Sequence, residues 1–439
     1  MSSGAHRTAQ GALLALLVAV LLATVIDVRK NGIDAYEEHA SRAVELLADL
    51  AGRSVRALTG AQAEPAFDEA ESLGDLAEVR RSESRPAEAL PLAERALELE
   101  ERAFGPEHPR TARALCGLAF VLEDLRQYER AEALFKRALA VREKALGPDS
   151  PDVAEAALDL AGLYRETGRY SESEALYQRA LASDERTYGR NHARVAEDQC
   201  GLARLYRLQG RLDRAGVLYQ RALEVLQNAH GPEHATVAAT LANLAEVDRL
   251  CGRYDASAER FARVLAIEEK LRGPDHPDVA IVLVNLAGVR HDQRRNREAE
   301  PLYRRALSIY AKGGLADGRD AAMALNNLAM ALYDEGRLEE AEPLLRQALA
   351  AGEAGQGRES IEDSATLNNL ATVLFKRDRR TEAEALFRRV LALRERALKP
   401  GDPDLLLSVE NLSAACRANG RTAEADALAA RAAAARKTP

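Results

Sequence analysis

The dipeptide Leu-Ala, once Leu-Ser, recurs every 42 residues along most of the chain. It reads Asp75-Leu-Ala, Gly117-Leu-Ala, Asp159-Leu-Ala, Gly201-Leu-Ala, Asn243-Leu-Ala, Asn285-Leu-Ala, Asn327-Leu-Ala, Asn369-Leu-Ala and Asn411-Leu-Ser, nine copies without a slip. A fixed period in this range marks a solenoid, in which each unit is one supersecondary element and the core forms by stacking neighbours. A globular chain of 439 residues would divide into about three domains. The repeat overrides that expectation and leaves little chain for a catalytic domain.

Composition then fixes the class. Hydrophobic residues make up 47%, charged residues 30% and aromatics only 4%, with Ala, Leu, Glu and Arg dominant. These are strong helix formers, so an all-α chain is expected. The net charge of -8 includes no basic stripe of the kind nucleic acid requires. Cys116 and Cys200 hold one position in repeats two apart. At roughly 10 Å per stacked helix they lie beyond disulfide reach and read as small apolar residues.

One repeat shows the expected unit. Ser150 is a good N-cap and Pro151 a good first helical residue. Val153, Ala157, Leu160, Ala161 and Tyr164 follow at helical spacing. Gly168-Arg-Tyr breaks the pattern, and a second helix is expected to turn Ala175, Leu176, Tyr177, Ala180 and Leu181 inward. Gly189 ends it where a left-handed cap is wanted. Each unit is therefore helix A, a tight turn, a longer helix B and a loop. The loop reads Gly105-Pro-Glu-His-Pro, Gly147-Pro-Asp-Ser-Pro, Gly189-Arg-Asn-His-Ala, Gly231-Pro-Glu-His-Ala and Gly273-Pro-Asp-His-Pro. Small residues fill one helix B position (Ala89, Ala131, Ser173, Ala215, Ser257, Ala299, Ala341, Ala383, Ala425), and four residues on stand Phe135, Tyr177, Tyr219, Phe261, Tyr303, Leu345 and Phe387. Small residues let helices approach, and the larger one fills the wedge beside them.

The Leu-Ala pair, the aromatic three residues later (Tyr164, Tyr206), the Gly-Arg-Tyr turns at 168–170 and 252–254, and the small and aromatic series of helix B resemble the tetratricopeptide repeat (TPR). The 42-residue unit and the Gly-Pro-Asp-His-Pro loop are similar to the kinesin light chain subclass. The resemblance covers about residues 70–435. It implies a right-handed superhelical solenoid of about nine helix-turn-helix repeats, whose concave face, lined by helix A, binds an extended peptide or helix of a partner protein. Kinesin light chains carry an N-terminal heptad coiled coil; here an apolar segment stands in its place, so a motor role is not implied.

Carried over by position, the groove residues are Asn243, Asn285, Asn327, Asn369 and Asn411, with Asn326 and Asn368 one residue earlier. Asn offers donors and acceptors to a ligand backbone. It is also a poor helix-interior residue, so its repetition has a cost. Contact with a peptide and a ladder between neighbouring helices both remain open. Six residues further on stand Arg81, Glu123, Arg165, Arg207, Arg249, His291, Tyr333, Phe375 and Arg417. Arg165, Arg207 and Arg249 suggest a ligand with an acidic part; Tyr333 and Phe375 suggest an apolar part. Local Glu partners for these Arg are the competing expectation.

Residues 11–26, GALLALLVAVLLATVI, are the one strongly apolar run. With Val28 they approach the roughly 20 residues of a membrane span. The expected organisation is a tail (1–10), a transmembrane anchor or signal segment (11–28), a linker and capping helix (29–69) and a solenoid with a C-terminal capping helix (70–439). A single-pass anchor is expected; the alternative is a secreted or periplasmic protein after cleavage. The Ala, Arg and Leu content suggests a bacterial genome.

No cofactor or metal is expected. His108, His192, His234 and His276 fall one to a repeat, too far apart for one ion. Gly352-Glu-Ala-Gly-Gln-Gly357 lacks the Lys-Ser/Thr pair of a phosphate loop. The functional expectation is a non-enzymatic, membrane-tethered scaffold for a partner protein. A structural assembly element, or a regulatory arm for a separate enzyme, stands as the alternative.

Overall fold

The two kinds of chain break in each repeat set its geometry. At the loop, Gly105, Gly147, Gly189, Gly231 and Gly273 take φ of 82–91° with ψ of 155–163°. The expected positive φ is present, but ψ lies far from the left-handed helical value. This extended region belongs essentially to glycine, whereas a left-handed cap would also accept Asn. The next helix is then capped by a side chain. Ser150 Oγ accepts from the Asp152 N–H at 3.3 Å, and Asp402 Oδ1 from Asp404 at 2.9 Å. His108, His192 and His276 accept through Nδ1 at 3.2 Å, and His234 at 3.3 Å. The once-per-loop histidines are therefore N-caps.

The A-to-B turn uses the other break. Residues 84, 126, 168, 210, 252, 294, 336, 378 and 420 all have φ between 58° and 80°. Five are Gly; Ser84, Arg126, Arg294 and Asp378 take the same conformation. The following N–H reaches back five residues, as from Arg169 to the Tyr164 carbonyl at 2.8 Å, which is a Schellman closure.

The computed structural model describes residues 64–356, 361 and 363–436, and all eighteen of its helices are α. They form two compact units divided after Arg190. The first holds α1 (Glu64–Ser82), α2 (Pro86–Phe104), α3 (Pro109–Asp124), α4 (Tyr128–Leu146), α5 (Pro151–Glu166) and α6 (Tyr170–Tyr188). The second holds α7 (Ala193–Leu208), α8 (Leu212–His230), α9 (Ala235–Leu250), α10 (Tyr254–Arg272), α11 (Pro277–Asp292), α12 (Asn296–Lys312), α13 (Arg319–Asp334), α14 (Leu338–Gln356), α15 (Ser364–Lys376), α16 (Arg380–Ala397), α17 (Pro403–Ala418) and α18 (Thr422–Ala435). Odd-numbered helices are A and even-numbered helices are B. Sixteen residues of A, three of turn, nineteen of B and four of loop make up the typical period, as over 109–150. Among the described residues no helix is long and apolar enough to cross a membrane. The apolar segment 11–28 and residues 29–63 of the expected linker and capping helix lie outside them, while 64–69 belong to α1.

The small residues do what the repeat requires. Ala119, Ala161, Ala203, Ala245, Ala287, Ala329 and Ala371 are fully buried, as are Ala131, Ser173, Ala215, Ser257, Ala299, Ala341, Ala383 and Ala425 across from them. Where one member is Ser, its hydroxyl donates to the carbonyl opposite at 2.7 Å: Ser173 to Ala161, Ser257 to Ala245, Ser413 to Ala425. Phe135, Tyr177, Tyr219, Phe261, Tyr303, Leu345 and Phe387 are buried beside them. One expectation fails. Ala175 is exposed, because the inward face of α6 runs through Ser173, Tyr177, Ala180 and Asp184. Spacing of four, three and four places Ala175 on the opposite side.

Two outcomes check this packing. Ala245→Leu should overpack the α9–α10 contact and cost about 1–3 kcal/mol. Arg126→Gly should relieve a positive φ and gain about 0.5–1 kcal/mol. Hydrogen exchange of the amides in α9–α10 and α3–α4 reads each change locally.

Candidate binding face

Three positions on the A helices lie on or border the face that is not packed against helix B. Four residues before the Asn series, unit 2 carries Ile281, Met323 and Leu407, exposed by 40%, 47% and 45%, with Ala239 and Ala365 exposed at the same position. Large apolar side chains at one repeat position form a row rather than a scatter. A cavity of about 290 Å³ opens beside Met323, bounded by Asn326, Ala348, Ala351 and Ala365. Unit 1 fills the same position with Glu71, Arg113 and Glu155, of which the first two pair at 3.1 Å.

The Asn series divides. Asn369 donates its Nδ2 to Asn326 Oδ1 at 2.9 Å, and Asn411 donates to Asn368 Oδ1 at 2.9 Å. Asn326 also donates to Asn327 Oδ1 at 3.3 Å. These amides bridge α13 to α15 and α15 to α17, so the ladder expectation describes them. Each rung keeps spare capacity: the Asn327 and Asn368 amide groups and the Asn369 and Asn411 carbonyls remain open to other partners. Asn243 bonds its own helix at the Ala239 carbonyl, 2.9 Å away. Asn285 is exposed and makes no side-chain hydrogen bond among the described residues.

The third position is also divided. Arg165 is held by Glu166 at 2.9 Å and by the Tyr177 hydroxyl at 3.0 Å. Arg249 is held by Glu246 and, at 2.8 Å, by Asp292 of the next repeat. His291 meets Asp334 in the same register at 2.9 Å. Local carboxylates thus occupy Arg165 and Arg249. Arg207 is half-buried, and its Nε is shielded from water without an acceptor among the described residues. Tyr333 and Phe375 are half-buried and pack against the core of unit 2.

A further set of charges escaped the sequence reading. The Arg one residue before helix B grips the preceding helix B: Arg337 to Glu300 at 2.6 Å, Arg379 to Glu342 at 2.7 Å and Arg421 to Glu384 at 2.6 Å in unit 2, and Arg169 to Glu132 at 2.7 Å in unit 1. Loop acids pair likewise with the end of the next helix B, as Asp275 does with Lys312 at 3.0 Å and Glu107 with Lys144. Both ladders join residues 37 apart, a spacing that a search for opposite charges would have exposed. Lys136, with help from Arg169 and Tyr164, holds Glu132 down to about 2. Burial, followed by Glu166 and Asp124, pushes Glu123 up to about 7.

The raised Glu123 carboxyl gives a pH-dependent outcome. Its contribution is fully present below about 4.5 and is lost as pH rises through about 7. Glu123→Gln should therefore stabilise unit 1 at pH 8 by about 1–2 kcal/mol and have little effect at acid pH. Melts across that range read the difference.

Tetratricopeptide-repeat models match residues 68–144, 115–186, 152–228, 199–267, 236–312, 321–358 and 364–404. Among curated proteins none matches the chain. Among solved structures, BtubC (BKLC) from P. vanneervenii is 25% identical over 51% of this chain and 91% of its own, with a TM-score of 0.47. The nearly identical TPR-like repeats of a Podosopora anserina kinesin light chain are 24% identical over 47% of this chain and 98% of theirs, with a TM-score of 0.44. RapI in its apo form is 15% identical over 65% of this chain and 97% of its own; its TM-score of 0.50 reflects likeness of fold alone. The family models span more than half the sequence, and the chain belongs to the tetratricopeptide-repeat family, here with repeats of 42 residues.

Proposed function

We propose that this protein is a non-catalytic scaffold that holds an extended peptide or helix of a partner protein on the A-helix face of unit 2. The observation that carries this reading is the row Ile281, Met323 and Leu407, apolar and exposed beside open amide groups. An apolar anchor beside groups that can bond a ligand backbone is the usual economy of peptide recognition. Asn285 and the spare atoms of Asn327, Asn368, Asn369 and Asn411 supply the backbone contacts. Asn326 holds the ladder, and Asn243 supports its own helix. Tyr333 and Phe375 border the apolar part, and Arg207 receives an acidic group. Arg165 and Arg249 serve mainly their local pairs.

The Asn–Asn bonds also favour a second, compatible reading for part of this set, in which the amides fix the spacing of α13, α15 and α17. The segment 11–28 tethers the scaffold to a membrane in this reading. Its sequence alone supports that role.

A photo-crosslinking amino acid at Met323 or Leu407 should label one common partner in cell membranes. The same group at Val217, which is 69% exposed on α8, should not. Asn285→Ala combined with Met323→Asp should abolish the labelling from position 407. Equal labelling from 217, or labelling that survives the double change, would remove the groove reading. Deleting residues 1–30 should move the protein from the membrane to the soluble fraction.

A further inference from the structure

One position of helix B is buried in several repeats and often charged. It holds Arg142, 7% exposed, and Arg394, 5% exposed. Arg142 donates to the Asp152 carbonyl at 2.7 Å and to Glu155 at 3.3 Å. Arg394 donates to the Asp404 carbonyl at 2.7 Å and to the Ser408 hydroxyl at 2.9 Å. These ions are buried and satisfied. In α2 the position is Glu100, 6% exposed, which makes no hydrogen bond among the described residues. Its Oε2 is sealed from water without a partner. A buried carboxylate in that state needs a proton or a cation.

Glu100 lines a cavity of about 260 Å³ between α1 and α3, floored by α2. The walls are small: Gly74, Ala93, Ala96 and Gly117. Glu71, Asp75 and Glu78 are the other carboxylates, and Arg113 is the lining cation. Arg113 bonds Glu71 at 3.1 Å and leaves Glu100 unmet. Arg110 and His108 act on Glu100 only at a distance.

We propose that this cavity receives one basic side chain, arginine or lysine, of the partner protein, with Glu100 as the buried acceptor of its charged head. The glycine and alanine walls accept the methylene stem, and Glu71 and Asp75 flank the entrance. Burial raises the Glu100 carboxyl above its usual range despite Arg110 and Arg113, so an incoming cation displaces a proton or fills an unmet ion. The same cavity in unit 2 supplies a contrast. Met323, Gly352 and Ala365 stand there where Glu71, Glu100 and Arg113 stand in unit 1, and the charges that line it, Arg319 and Asp363, come from other repeat positions.

The proposal rests on the scaffold reading for the source of the side chain, but its chemistry is tested without a partner. N-acetyl-arginine amide and N-acetyl-lysine amide are titrated into the full chain, with N-acetyl-citrulline amide as the uncharged match. The methyl signals of Ala93, Ala96 and Ala114 are followed by NMR. At least one cation should give saturable shifts there, and citrulline should not. Glu100→Gln should weaken binding roughly tenfold or more, the loss expected for a charged hydrogen bond. Gly117→Leu, whose Cβ meets no neighbouring atom and whose side chain narrows the cavity from α3 with the Glu100 carboxyl retained, should block it as well. Shifts equal for citrulline, affinity unchanged in both variants, or no shifts in the full chain would overturn the assignment. The apolar row of unit 2 would stand regardless.

Discussion

The close approach of helix A to helix B is the contact on which the rest depends. Backbones come near enough for Ser257 to donate to the Ala245 carbonyl at 2.7 Å, and only Ala or Ser fits on either side. That contact recurs once per repeat and fixes the phase of both helices. Once the phase is fixed, each repeat position has one environment throughout a unit. The apolar row, the amide rungs and the charge ladders are all consequences of that single register. A solenoid has no closed core to average out an error, so a misfit at the small position would be felt by its neighbours on both sides.

Charge plays two separable parts. On the B side it is structural: Glu342 and Glu384 are nearly buried and each takes two or more Arg. For Glu342, burial works against ionisation, but Arg346 and Arg379 keep the carboxyl below its usual range. On the A side the same kind of charge is used unevenly. Unit 1 presents Glu71, Glu123 and Asp159, with burial and Glu155 pushing Asp159 up to about 6. Unit 2 turns from Arg207 toward Ile281, Met323 and Leu407. One repeated backbone thus carries different chemistry on the A helices of its two units.

Much of the fold could be read from periodicity. The small residues, the wedge aromatics, the Ser150 cap and the two chain breaks all follow from what a helix pair must bury. The sequence reading erred where chemistry was judged one residue at a time. Ala175 looked inward because it is Ala, yet angular position on the helix decides, and Ser173 is the buried one. The loop histidines serve as N-caps, a role that their sequence does not suggest because Ser and Asp are the usual cap residues. The 37-residue ion pairs connect neighbouring repeats and are invisible to any search within one. The candidate face was half visible. The Asn positions were found, but whether an amide faces a ligand or the next helix depends on the helix separation. The apolar row was missed because Ile281, Met323 and Leu407 differ in type and share only their phase.

A polypeptide docked on the exposed A-helix face of unit 2 would lie against Met323. The chain has three methionines, so a methyl-labelled methionine spectrum is simple and Met323 can be assigned by substitution. With valine methyls labelled as well, cross-saturation from an unlabelled bound partner segment should attenuate the Met323 methyl strongly and leave the Val217 methyls on the B side untouched. Attenuation of Val217 with Met323 unaffected would place the partner on the other face and contradict the account.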